Sequence, residues 1–340
     1  MGLALLPTNY NILFDALSRP RIGAYRTYFG NSLSDEQLHG CYQWNESVSL
    51  SFFKVITLIE IVMRNRMHYA LSNHYHQTQK QVVDNSGLPF RRWTFSQQRT
   101  SGSATSCNWY EAGVLNNFSL SKIHELTHHK RNKQPLVGRR KPSPDDVVSS
   151  LTFGFWSSLI DKAPAIAWAQ VLGNIFPKHR ATSAGQWINA AHKQRLIFRL
   201  QLIRDFRNRI AHHEPIWKLP PLLDERPPRQ GQQRAVLQPA TTNPSESIRR
   251  LRMIYSKHTE LLRWMSQEIY DDLQASTLHK HILWLCSEEG LNAHINRSEL
   301  MPISMKPARF KRELQSILRS KRVTYLHRDG RNLIATQPIP

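Results

Sequence analysis

A chain of 340 residues with 40% apolar side chains, nine Trp, ten Tyr and thirteen Phe carries enough to bury a core, which excludes wholesale disorder. Forty-six Lys and Arg against twenty-five Asp and Glu leave a net charge of +21, an excess that points to a polyanionic partner. Nucleic acid is expected before membrane, because no amphipathic anchor or acylation motif is present.

Three cysteines, Cys41, Cys107 and Cys286, are odd in number and far apart. They suggest neither a disulfide framework nor a zinc site, and no metal or other cofactor is expected. The most apolar run, residues 50–63, is interrupted by Lys54 and Glu60 and is too short to span a bilayer. With no visible secretory signal, a cytoplasmic protein is expected.

Residues 1–36 read as short helices broken by Pro20 and Gly30, with Ser34-Asp35-Glu36 opening the next. A long helix is predicted from about residue 37 to 75. Phe52, Ile56, Ile59, Met63, Met67 and Ala70 recur on its core face, and Glu60, Arg64 and His68 advance by four along another. Residues 77–110 lose periodicity and read as a loop insertion. A helix over 119–128 leads into Lys130, Arg131 and Lys133, then Arg139, Arg140 and Lys141. This basic run without an acidic residue suits RNA-backbone contact or a plain solvated loop.

Helix resumes over 145–160, where Phe153, Phe155 and Trp156 read as core rather than a base-stacking platform. Residues 187–212 form another long helix with Leu196, Leu200, Ile203, Phe206 and Ile210 as its buried stripe. Residues 218–246 hold six prolines and read as an extended linker or insertion; an amphipathic helix follows over 246–273.

The last 65 residues change character. A helix over 277–286, a short one at 298–300, a basic helix over 307–320 and a hairpin about Asp329-Gly330 give the order of a winged helix. Nine basic and two acidic residues fall between Lys306 and Arg331, so Lys311, Arg312, Arg319, Lys321 and Arg322 are candidate nucleic-acid contacts, DNA included. The plain alternative is a helical tail with an ordinary hairpin.

The most informative string is Arg204-Asp205-Phe206-Arg207-Asn208-Arg209-Ile210-Ala211-His212-His213-Glu214-Pro215. It sets arginine, amide and histidine at the end of a predicted helix that proline stops. Asn208 and His212 stand one turn apart, while Arg207 lies about 140° around the axis from His212. Imidazole can move a proton, guanidinium can hold phosphate oxygens and an amide can orient, so the trio suits phosphate chemistry. The plain alternative has Arg207 capping helix carbonyls and His212 as a satisfied terminal histidine.

This string resembles the nuclease motif of HEPN-domain proteins of the Abi (abortive infection) family. Tyr42-Gln43-Trp44-Asn45 and Glu60-Ile61-Val62-Met63-Arg64-Asn65 resemble that family's first long helix, and Leu151–Leu159 its aromatic segment. The resemblance covers about residues 10–275. It implies a mainly α, HEPN-type helical bundle over 1–275, with insertions at 77–110 and 218–246, ahead of a basic α+β module over 276–340. It also implies a homodimer whose two motifs share a cleft, and a metal-independent endoribonuclease acting as a toxin-type antiphage effector.

Carried over by position, Arg207, Asn208 and His212 are the catalytic candidates, with His213, Arg64 and Glu60 as accessory ones. Histidine's ordinary pKa of about 6.5 fits both accepting and returning a proton. RNA is the expected substrate; a restraining antitoxin or phage-derived trigger is left open. Two other classes stay in view: a catalytically silent RNA-binding scaffold, and a DNA-binding regulator led by the C-terminal module.

Overall fold

The computed structural model of the protein describes residues 7–86, 102–138, 141–296, 303–320, 324–328 and 331–336. It is mainly α, as expected. In chain order the helices are α1 (Tyr10–Ala16), α2 (Arg19–Phe29), α3 (Asp35–Ser86), α4 (Asn117–Thr127), α5 (Pro144–Ser150), α6 (Phe153–Lys162) and α7 (Trp168–Ile175). They continue with α8 (Ala184–Trp187), α9 (Ala190–Ala211), α10 (Pro244–Met265), α11 (Gln267–Ala275), α12 (Thr277–Leu285), α13 (Glu288–Ile295) and α14 (Pro307–Ser320). Two short strands, β1 (Leu222–Leu223) and β2 (Val236–Gln238), pair antiparallel. A second sheet holds β3 (Ile303–Met305), β4 (Thr324–Arg328) and β5 (Arg331–Thr336).

The 52-residue helix α3 is the axis of the bundle. Ser34 and Gln37 start it with a reciprocal cap, each side chain accepting the other's backbone N–H. The predicted face is buried, with Phe52, Ile56, Ile59, Met63 and Met67 fully enclosed. Helices α2, α7, α9, α10, α12 and α13 all pack against it. On α9 the whole predicted stripe from Leu196 to Ile210 is buried, and Phe206 meets Phe52 of α3 with ring centroids 5.0 Å apart. Phe153, Phe155 and Trp156 are core, as their density implied. The three cysteines are free and buried.

Several expectations change against the structure. Pro20 opens α2 instead of breaking a helix, because a first-turn residue has no intrahelical N–H bond to lose. Helix α3 runs on to Ser86, and Cys107, Trp109 and Tyr110 are buried, so the stretch read as a surface loop returns to the core before residue 110. Residues 87–101 of that loop lie outside the described residues, as does the short helix expected at 298–300. The amphipathic helix over 246–273 is two helices, broken where Ser266 ends α10 and caps α11.

Residues 218–246 are irregular, yet they are fastened down. The Arg199 guanidinium of α9, only 3% exposed, pairs with Glu225 at 2.7 Å and Glu260 at 2.8 Å. Lys257 joins Glu225 at 2.9 Å. Arg250 of α10, as deeply buried, donates to Gln238 and to the carbonyl of Pro220, both at 2.7 Å. A guanidinium has five N–H donors in a rigid fork, so it can anchor a proline-rich segment whose own ladder is only the short β1–β2 pair.

Helices α12 and α13 bury Ile282, Leu285, Cys286 and Leu291 in the main core. Gly40 of α3 lets the carbonyl of His294 approach closer than any side chain would allow. Beyond Ile295, Met305 and Ile317 form a separate small cluster under Phe310. The β4–β5 hairpin stands where Asp329-Gly330 predicted it. However, β3 runs parallel to β4 and a single helix joins them. A winged helix would place a helix–turn–helix pair there; this βαββ order does not.

Burial also sets a pH limit on stability. His179, His258 and His281 are held neutral by burial, which pushes each pKa down to about 4. Unfolding returns them to about 6.5, so the unfolded chain binds more protons between those values. The stabilisation is complete above pH 6.5 and is lost as pH falls toward 4; for the fully buried His258 it is on the order of 3 kcal/mol. Thermal unfolding followed by circular dichroism should show the midpoint dropping steadily from pH 6.5 to 4. A flat profile would contradict this.

Candidate functional site

The last turn of α9 carries the motif, and the way the helix stops fixes the site. Pro215 prevents the helix from continuing. The backbone N–H of His213 bonds to the carbonyl of Ile210 at 3.0 Å, and that of Glu214 to the carbonyl of Arg209 at 2.8 Å. These two bonds make a Schellman ending, whose left-handed residue is usually glycine. Here it is His213, with φ +55°. His212 is the capping residue itself, at φ −92° and ψ 9°, so its side chain leaves a backbone already departing from the helix.

Three groups clamp this ending. Arg209 donates to the carbonyls of Pro215 and Lys218, both at 2.8 Å, and faces Glu214 at 3.4 Å. Asn45 of α3 accepts the N–H of Ile216 at 2.9 Å in a buried contact. Arg21 of α2 donates to the carbonyl of His213 at 3.0 Å. Desolvation raises the Glu46 carboxyl of α3 above the ordinary range, while Tyr42 and the nearby His213 draw it back.

The predicted residues divide clearly. Asn208, His212 and His213 are exposed, and Arg207 is half-buried with its Nε enclosed and unpartnered. Among the described residues no hydrogen bond or ion pair joins the side chains of His212, Asn208 and Arg207. Glu60 and Arg64 of α3 do come to Arg207: burial raises the Glu60 carboxyl, and the charges of Arg207 and then Arg64 oppose the rise. The charges of two guanidinium groups from different helices thus act on one carboxylate. Neither lies within ion-pair distance of it, so neither is neutralised locally. His213 serves the backbone ending, through its φ and its carbonyl.

The described ones among the proposed nucleic-acid contacts are carried by other elements. Lys130, Arg131 and Lys133 are exposed at the tip of a tight turn closed by the His128–Pro135 bridge. Lys141 is exposed ahead of α5, and Lys311 and Arg312 are exposed on α14. Arg319 lies in the last turns of α14; Arg139, Arg140, Lys321 and Arg322 lie outside the described residues.

One group of partners escaped the sequence reading. His68, one turn beyond Arg64, is buried and accepts Trp109 Nε1–H at its Nδ1, 3.0 Å away. Indole nitrogen only donates, so Nδ1 is unprotonated and the proton of the neutral ring sits on Nε2. Nε2 faces Ser106 Oγ at 3.0 Å and Asp145 Oδ1 at 3.4 Å, and Ser106 Oγ donates to Asp145 at 2.8 Å. The serine hydroxyl thus meets a protonated nitrogen and donates its own hydrogen to a carboxylate. Despite its residue types, this set is not a nucleophile with its base. Burial lowers the His68 pKa, against Asp145, in keeping with a neutral ring.

Among the described residues no cluster of three His, Cys, Asp or Glu could hold a metal ion, and no helix is long and apolar enough to cross a membrane. A family model for Abi-like proteins matches residues 7–218, a span that contains α3 and all of α9. The chain belongs to the Abi-like family. That membership suggests a function of the abortive-infection type. No curated protein and no solved structure matches the chain. The family match closes just after the clamped helix ending, at the residue whose carbonyl Arg209 holds.

Two substitutions separate strain from support. His213→Gly removes a left-handed side chain, and should stabilise the Abi-like chain by roughly 1 kcal/mol in urea unfolding. Asn45→Ala strands the N–H of Ile216 in the core and should cost about 1–3 kcal/mol. A loss of stability in the glycine variant would mean the histidine ring itself holds the ending.

Proposed function

We propose that this Abi-like protein is an endoribonuclease of the HEPN type that cleaves RNA by transesterification without a metal, as a toxin-type effector of abortive infection. The observation that carries this reading is the clamped ending of α9. It presents His212 and Asn208 to solvent beside Arg207, and Arg207 shares a carboxylate neighbour with Arg64. A net charge of +21 supplies the attraction to a polyanion.

His212 takes the proton from a ribose 2′-hydroxyl, and that oxygen attacks the adjacent phosphorus. Arg207 meets the non-bridging oxygens as charge builds on the phosphorane; Arg64 adds a second guanidinium from the side. Asn208 orients the imidazole or the substrate. The 5′-oxygen leaves with a proton, which the same histidine of a second copy can supply. The products are a 2′,3′-cyclic phosphate and a 5′-hydroxyl, so DNA is not cleaved.

Pairing of two copies along α3 has its own support. Leu50, Phe53 and Ile61 are 66%, 39% and 42% exposed, and they follow one outward row of the helix that carries Glu60 and Arg64. An apolar row this long beside charged site residues suits a partner of the same kind. The regulator alternative is the weaker one, because among the described residues the C-terminal βαββ order has no helix–turn–helix pair between its strands.

The test is cleavage of total cellular RNA in EDTA by wild type and His212→Ala, with product ends mapped. Cyclic phosphates from wild type, reduced by about 10²-fold or more in the variant, are expected. Cleavage unchanged in His212→Ala would overturn the assignment.

A further inference from the structure

A cleft of about 440 Å³ opens along α3, lined by Arg64, Asn65, His68, Tyr69, Asp145 and Ser149 among others. Its size suits a nucleoside. Arg64 lines the cleft, and its charge, like that of Arg207, acts on Glu60 one turn earlier on α3.

Its walls have distinct chemistry. Tyr69 is 55% exposed and offers a ring face. Asn65, also exposed, offers an amide that donates and accepts. Asp145 has a side chain 74% exposed, yet its Oδ1 is fixed by the Ser106 hydroxyl and faced by His68 Nε2. That orientation is inherited from the core, because His68 is held at its other nitrogen by the buried Trp109. A solvent-facing carboxylate braced by a buried histidine, a tryptophan and a serine is more elaborate than a surface ion needs. Arg64 Nη1 donates to the carbonyl of Ser149 at 3.2 Å, which pins the guanidinium against the same wall.

A fixed carboxylate accepts best from two parallel N–H groups. Among the RNA bases only guanine offers such a pair on its Watson–Crick edge, N1–H and the 2-amino group. Adenine presents an unprotonated N1 there, and uracil and cytosine have no adjacent pair of donors. Single-stranded RNA is read in this manner, by an aromatic platform with hydrogen bonds to base edges.

We propose that this cleft is a guanine subsite: Asp145 accepts from N1–H and the 2-amino group, Tyr69 stacks on the ring, Asn65 meets the remaining edge, and Arg64 holds the adjoining phosphate. The subsite deepens the ribonuclease reading and rests on it for the identity of the substrate as RNA. It makes unpaired RNA that carries guanosine the preferred substrate.

The test uses the full chain and calorimetric titration with the 3′-monophosphates of guanosine, adenosine, cytidine, uridine and inosine. Guanosine 3′-monophosphate should bind roughly five- to hundredfold more tightly than adenosine, cytidine or uridine 3′-monophosphate. Inosine 3′-monophosphate, which lacks only the 2-amino group, should lose part of that advantage on the unaltered protein. Asp145→Asn, which turns an acceptor toward a donor, should bring guanosine down to the level of adenosine while circular dichroism stays unchanged. Equal binding of all five nucleotides overturns the subsite, as does guanosine preference that survives in folded Asp145→Asn.

Mapped cleavage separates this from the parent reading. RNA cut without guanosine preference overturns the subsite and leaves the ribonuclease intact. Guanosine-selective binding with no RNA cleavage supports the subsite and counts against the ribonuclease.

Discussion

The buried hydrogen bond from Ile216 N–H to Asn45 Oδ1 joins segments 171 residues apart and ties the end of α9 to the long helix α3. A helix end leaves carbonyls and flanking amides without partners, and burying them unpaired costs more than a hydrogen bond returns. Asn45 meets that demand on one side and Arg209 on the other, with Arg21 closing over His213. This constraint places His212. Its ring leaves a backbone set by the Schellman ending, and earlier on α9 Arg207 acts by its charge on Glu60 of α3.

The strain at His213 belongs to the same device. A glycine would take the left-handed backbone at no steric cost, and a histidine does not. The helix is nonetheless held to this ending by Pro215 and three clamps, so the strain persists because its surroundings over-determine it. The two histidines therefore stand differently: His212 is the exposed capping residue, while His213 shapes the turn beside it.

Much of this was legible in the sequence, for reasons that differ by element. The buried faces of α3 and α9 were readable residue by residue, because Phe52 to Ala70 and Leu196 to Ile210 repeat at helical spacing and burial follows period. The motif was readable as a string, with proline marking the stop. Contacts over long separations left no local trace. Nothing near Asn45 announces Ile216, and nothing near His68 announces Trp109 and Asp145. Residues 218–246 read as an extended linker or insertion, and what fastens them left no local trace for a related reason. Proline and glutamine content signals few ladder bonds; Arg250 donates instead to the carbonyls of Pro220 and Pro239, and Arg199 holds the Glu225 carboxylate. The winged-helix order failed because three residues at 303–305 join the sheet in parallel, and so short a strand carries no alternation to read.

The most direct measurement follows the imidazole nitrogens of His212 and His213 by NMR while an RNA with 2′-O-methyl riboses, which cannot be cleaved, is added to the folded protein. If the clamped end of α9 is the site of chemistry, the His212 ring resonances shift with RNA. They should do so far less in Arg207→Ala, while those of His213 move little in either protein. RNA that binds without disturbing His212, in a protein whose fold is unchanged, would place the interaction elsewhere and contradict the assignment.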